Sequence, residues 1–298
     1  MRIARFTTGE DPPMYGIVQD RDGEDMVFGI TGDPLYTEIR PTGAIHPLAD
    51  VRLLAPVIPR SKVVCVGRNY AAHAAELGNA VPESPLLFLK PNTAVIGPPG
   101  DPVVLPPYSS EVSLEAELAV VIQRMAKDVD PPESVADVIL GYTCANDFTA
   151  RDAQREEKQW FRAKAFDTSC PIGPWIETDL DPASLAIGSS VDGEVAQEGT
   201  TADMLRSVPE LVAEISRVVT LLPGGDVILT GTPAGGVRTV EAGARVDVTI
   251  EGGIGTLTNP SCGAEHPHPL SPRPSAYSVR RPIAAGRHRP SVPVTTAG

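Results

Sequence analysis

The stretch VSLEAELAVVI, residues 112–122, ends as an apolar strand but opens with two glutamates one residue apart. Side chains at i and i+2 of a strand point to one face, so Glu115 and Glu117 set two carboxylates side by side. Such a pair can be buried together only against a compensating cation. A divalent metal supplies one, and all-oxygen donors suit Mg²⁺, Mn²⁺ or Ca²⁺ better than Zn²⁺, for which histidine and cysteine are expected. For an isolated E-x-E the commoner reading is a solvated strand face.

A second stretch changes that balance. ILGYTCAN is another mostly uncharged run, and it delivers Asp147 at its end. Acids at the ends of apolar strands from separated parts of a chain can assemble an open carboxylate metal site, with Asp147 as third ligand. Next to it, Arg151, Asp152 and Gln154 offer charged and amide groups that can orient a carboxylate or ketone by charge-assisted hydrogen bonds, or else form a helix cap and surface salt bridges. In NYAAHAAELG, His73 and Glu76 stand at i and i+3, one face of a helix if the segment is helical. Such a pair can hold an imidazole in one tautomer as a general base, or be a surface hydrogen bond.

The elements that must position these groups are mostly strands. Residues 1–56 read as short strands, MRIARF, MYGIVQD and DMVFGI, between Gly, Asp and Pro turns, and predict a small β-rich N-terminal domain. From SKVVCVGRNY onward, PLLFLK, ELAVVI, GDVILTG and RVDVTI read as strands, and SVPELVAEISRVVTLL as a helix. The expected class is α+β and strand-dominated. There is no G-x-x-x-x-G-K-[ST], no G-x-G-x-x-G after a strand and no internal repeat, so nucleotide-binding folds have no support.

Composition narrows the function classes. The chain has 298 residues, a net charge of -13 and a mean hydropathy of -0.04. That charge argues against a broad nucleic-acid surface. No apolar run approaches the roughly 20 residues of a membrane helix, and MRIARFTTGEDPP lacks a secretory apolar core, so a cytoplasmic location and no membrane partner are expected. Four dispersed cysteines predict buried free thiols. Residues 261–298 carry seven prolines, five arginines and one acid, which predicts a disordered tail.

The stretches VVCVGRNYAAHAAELG, PLLFLKPNTAVIGP, SLEAELAVVI, GYTCANDFTARDAQ, QWFRAKAFDTSCPIGPW, LLPGGDVILTGTPAG and IEGGIGTLTNP, in this order over residues 61–260, resemble the fumarylacetoacetate hydrolase family. The likeness is to its short branch of acylpyruvate hydrolases, oxaloacetate decarboxylases and 2-hydroxyhepta-2,4-diene-1,7-dioate isomerases. It implies a mixed β-roll catalytic domain over 61–260 and a homodimer. It also implies Mg²⁺ or Mn²⁺ on Glu115, Glu117 and Asp147, chelating an α-keto acid or its enol. Lys164, which spacing alone would leave exposed, falls on the lysine that supports the substrate or its enolate. His73 and Glu76 fall on a lid that carries the base, and Arg68, Tyr70, Lys90, Arg151, Gln154 and Thr232 on substrate-binding positions.

The resemblance implies a small keto-acid or enolisable dioic acid as substrate, in the catabolism of aromatic compounds. Hydrolysis of an acylpyruvate needs an activated water, hence His73 and Glu76; isomerisation or decarboxylation asks mainly for a stabilised enolate. An oxaloacetate-type decarboxylase and a catalytically silent binding member are the alternatives. Three departures stand out: Ser113-Leu114 where an acid-aromatic pair is common, Arg238 and Ala244 in GTPAGGVRTVEAGA, and the extension beyond GTLTNP, natural or from a changed reading frame.

Overall fold

The structure is a computed structural model that describes residues 1–9, 11–130 and 135–265. Strands dominate it. The largest sheet runs, in spatial order, Pro41–Pro47, Glu24–Ile30, Met14–Arg21, Arg2–Thr7, Cys170–Glu177, Ile139–Asn146, Ala116–Ile122, Val227–Leu229, Val63–Gly67 and Leu86–Lys90. A five-stranded sheet contains Glu194–Thr200, Ala186–Val191, Arg245–Ile250, Gly255–Cys262 and Val103–Val104. The fold class is the expected strand-dominated α+β. The N-terminal strands enter the large sheet through the antiparallel pairing of Arg2 with Glu177 and Ile3 with Ile176.

Strand Ala116–Ile122 lies at the centre, buried along its whole length. Its alternating side chains serve two cores. Leu118, Val120 and Ile122 pack with Leu211, Val212 and Ile215 of helix Val208–Val218, whereas Ala119 and Val121 pack with Val63, Cys65 and Ile172. Period-two alternation thus leaves Glu117 on the Ala119–Val121 side.

Register gathers the chemistry at one end of the sheet. Ala116 opposes Asn146 in an antiparallel pair, which brings the start of one strand beside the end of the other, so Glu115 and Asp147 are neighbours. Strand Val227–Leu229 runs antiparallel to Ala116–Ile122 and parallel to Val63–Gly67, so Thr230–Thr232 and Gly67–Arg68 emerge at that same end.

Two expectations are corrected in detail. Helix Val208–Val218 is shorter than the run 207–222: Val219 is extended, and Leu221 bridges to Ala126 instead. The β-branched run Val218-Val219-Thr220 favours that change of conformation. Ser261 and Cys262, placed in the tail by composition, pair with Val103 and Val104. The rest of the expected tail, from 266 on, lies outside the described residues. No described helix is long and apolar enough to cross a membrane, and all four cysteines are free and buried.

Candidate active site

Glu115, Glu117 and Asp147 are all buried, and one carboxylate oxygen from each lies within 4.8 Å of the others. Backbone contacts lock this arrangement. The Asp147 N–H donates to the Glu115 carbonyl at 2.9 Å, and the Glu115 N–H donates to Asn146 Oδ1 at 2.9 Å. The Gly231 N–H donates to Glu117 Oε2 at 2.6 Å. Gly231 has φ +97°, and a Cβ there would lie 2.8 Å from Asn69 Cβ, so only glycine brings its N–H this close.

Three cations, Lys164, Arg151 and Lys90, pair with Glu115 and Asp147. Lys164, the last residue of helix Phe161–Lys164, donates to Glu115 Oε2 at 2.5 Å and to Asp147 Oδ2 at 2.7 Å. It is buried, against the solvent exposure that spacing alone suggested. Arg151 donates to Glu115 Oε1 at 2.5 Å, Ser113 Oγ at 2.7 Å, Gln154 Oε1 at 2.9 Å and the Gly236 carbonyl at 2.6 Å. Ser113, one of the departures, therefore holds this guanidinium. Asp152 turns away and fastens Ser109 and Ser110.

Burial opposes ionisation of Glu115, but Lys164, Arg151 and His73 outweigh it and hold its carboxyl well below the usual range. Glu117 goes the other way: burial, then the charges of Asp147 and Glu115, push it well up. For Lys164, burial is outweighed by Asp147 and Glu115, which raise its pKa.

His73, in helix Ala71–Glu76, is buried. Its Nδ1 lies 3.1 Å from Glu76 Oε2, and its Nε2 lies 3.7 Å from Glu115 Oε1. Because an ionised carboxylate only accepts, Nδ1 donates to Glu76, and Nε2 is the ring atom that faces the acids. The Gly235 N–H donates to Glu76 at 3.1 Å, clasping the helix to the 232–236 loop.

The three acids, Lys164, Arg151 and His73 line a cavity of about 270 Å³, together with Arg68, Gln154, Thr232, Asn79, Phe88 and Trp160. The Arg68 guanidinium stands 5.9 Å from the Trp160 ring centroid. Two expected substrate contacts do not reach the cavity. Lys90 pairs across from Val63, the end of that strand remote from Gly67, and its side chain is fully buried beneath Asp147. Tyr70, the residue that precedes helix Ala71–Glu76, is buried with its hydroxyl lacking any hydrogen-bond partner among the described residues. Arg238, another of the departures, turns outward to Glu194 at 2.7 Å. Sequence reasoning missed Trp160, Asn79, Phe88 and the buried Gln197, none of which stands in a distinctive spacing.

The donor set fits a divalent cation. It is all oxygen, and Lys90 Nζ approaches Asp147 Oδ1 at 2.7 Å outside hydrogen-bond geometry, so this buried oxygen accepts no hydrogen bond.

A family model for the fumarylacetoacetate (FAA) hydrolase C-terminal region matches residues 62–260, and one for the Rv2993c-like N-terminal region matches 1–56. The protein Rv2993c of Mycobacterium tuberculosis is 56% identical over 222 residues, 74% of this chain and 82% of its own length. Human mitochondrial oxaloacetate tautomerase FAHD2A is 47% identical over 196 residues, 64% of this chain and 62% of its own. The crystal structure of 5-carboxymethyl-2-hydroxymuconate delta-isomerase from Mycobacterium smegmatis is 48% identical with a TM-score of 0.79, covering 88% of this chain and 100% of that one. With a match that spans the acids, helix Ala71–Glu76 and the Gly231 loop alike, the chain belongs to the fumarylacetoacetate hydrolase family.

Proposed function

We propose that this enzyme uses Mg²⁺ or Mn²⁺ on Glu115, Glu117 and Asp147 to isomerise a short enolisable dioic α-keto acid from the breakdown of aromatic compounds. The carrying observation is the His73 imidazole, oriented by Glu76, with Nε2 at 3.7 Å from Glu115. In this reading that nitrogen takes a proton from the carbon next to a keto group and returns it elsewhere. Two relatives named for isomerisation and tautomerisation support the same chemistry.

A bound dication supplies Lewis-acid polarisation of the keto oxygen and a template for neighbouring carboxylate. The charges favour a doubly charged substrate. With all groups ionised, Glu115, Glu117 and Asp147 balance Lys90, Lys164 and Arg151, so a dication and a dianion together preserve neutrality. Lys164 steadies the negative oxygen of the enolate, while Arg68 and Gln154 face the cavity where a second carboxylate would extend. A volume of about 270 Å³ suits a small acid.

Hydrolysis of an acylpyruvate carbon–carbon bond is the second reading, because the same His73–Glu76 pair can take a proton from water. The test is turnover of oxaloacetate enol, 2-hydroxyhepta-2,4-diene-1,7-dioate and acetylpyruvate with Mg²⁺ or Mn²⁺ added. Metal-dependent loss of the enol or a shifted double bond is expected; cleavage of acetylpyruvate alone favours hydrolysis, carbon dioxide release favours decarboxylation, and no turnover rejects the enzyme reading.

A further inference from the structure

The five-stranded sheet contributes one buried side chain to the site's framework. Gln197, in strand Glu194–Thr200, is 2% exposed and uses its whole amide. Its Oε1 accepts from the Ala116 N–H and from Ser189 Oγ, both at 2.9 Å. Its Nε2 donates to the Pro233 carbonyl at 2.9 Å and to Thr232 Oγ1 at 2.8 Å.

The direction of these bonds is over-determined. A backbone N–H can only donate and a backbone carbonyl can only accept, so Ala116 and Pro233 fix which end of the amide is oxygen. Thr232 then meets an N–H and must accept. A hydroxyl keeps one proton of its own, and among the described residues no hydrogen bond uses the Thr232 proton, while Thr232 lines the cavity. The loop is held against the amide, since a Cβ on Gly236 would lie 3.2 Å from Gln197 Nε2.

We infer that Gln197 is a positioning residue that commits the Thr232 hydroxyl to donate its proton into the cavity, selecting a carboxylate or keto oxygen of the substrate. This rests on the keto-acid reading above. A fixed donor favours an acceptor-only carboxylate and rejects an amide that presents N–H at the same point.

The probe is oxalate, titrated calorimetrically into Mn²⁺-loaded protein. Gln197→Glu keeps the acceptor for Ala116 but replaces the amide nitrogen with oxygen, so the Thr232 hydroxyl turns back toward it. Loss of one hydrogen bond to a charged ligand should weaken oxalate by about tenfold in both Gln197→Glu and Thr232→Val. The double variant should bind no more weakly than the weaker single, because both act through one proton. Thr232→Ser should bind like wild type. Multiplied losses, or wild-type affinity in Gln197→Glu, overturn the inference. A ligand-free readout stands beside these: Thr232→Val should move one of the two Gln197 side-chain amide proton resonances, and an unchanged pair overturns the assigned direction. Wild-type protein that ignores oxalate counts against the keto-acid reading, and the amide resonances then decide the hydroxyl direction by themselves.

Discussion

Lys90 and Asp147 are paired where neither meets solvent: Nζ lies 2.7 Å from Oδ1, and both side chains are fully buried. The same ammonium donates to the Lys164 carbonyl, to the Ser169 carbonyl at 3.0 Å and to Ser169 Oγ at 2.9 Å. It therefore fastens one acid of the cluster and the backbone that carries the cluster's own lysine.

Lys90→Met tests that role. Removing one member of a buried ion pair costs about 3–5 kcal/mol, because the remaining charge is left uncompensated. Thermal denaturation of the metal-free variant should show a loss on that order, and added Mn²⁺ should restore part of it. A variant as stable as wild type but raised in KM would return Lys90 to the substrate.

Glu117 makes the metal-free protein sensitive to pH. Its folded pKa is raised by burial, then by Asp147 and Glu115, so it keeps a proton that the unfolded chain releases near about pH 4.3. The stabilisation is full below that pH and is lost as pH rises toward the folded pKa. With EDTA present, the Tm difference between wild type and Glu117→Gln should shift against wild type across this window. Mn²⁺ should stabilise wild type increasingly as the proton leaves, and the variant far less. A difference independent of pH would contradict the assignment.

Gly231 predicts a backbone effect on the same acid. With φ +97° and 2.8 Å of room beside Asn69, Gly231→Ala forces strain of about 1–3 kcal/mol and pulls the N–H from Glu117. Calorimetry should show weaker Mn²⁺ binding together with a lower Tm. Unchanged metal affinity would mean that Gly231 only shapes the turn.

How much of this was legible in sequence depends on the range of each contact. Glu115 and Glu117 share a face by strand period, and Asp147 closes an apolar run, so their type and place are local facts. His73 and Glu76 are local too, at helical spacing. Lys164 needed the family resemblance, because its burial comes from the convergence of distant elements. Lys90 and Tyr70 carry polar groups in motif stretches, yet their depth is set by pairing with Val63 and Met204. Gln197 acts on Ala116 from 81 residues away, in a strand whose pattern is ordinary. Ser261 and Cys262 look like tail by composition and become strand only through Val103 and Val104.

The base decides the chemistry. If His73 Nε2 removes a proton from the carbon beside the keto group, wild-type enzyme in D₂O should place deuterium at that carbon of oxaloacetate. His73→Ala should slow both this exchange and enol conversion by about 10²–10⁴-fold, the usual cost of losing a general base. Glu76→Gln should act in the same direction but less, since Glu76 orients the ring and holds the Gly235 N–H without taking the substrate's proton. Oxalate binding should survive in both variants, because neither side chain is a proposed ligand of the dication. If instead His73→Ala exchanges deuterium at the wild-type rate while acetylpyruvate cleavage collapses, the imidazole serves water, and the enzyme is a hydrolase that merely tolerates the enol. Full activity of His73→Ala on every substrate would remove the imidazole from the mechanism.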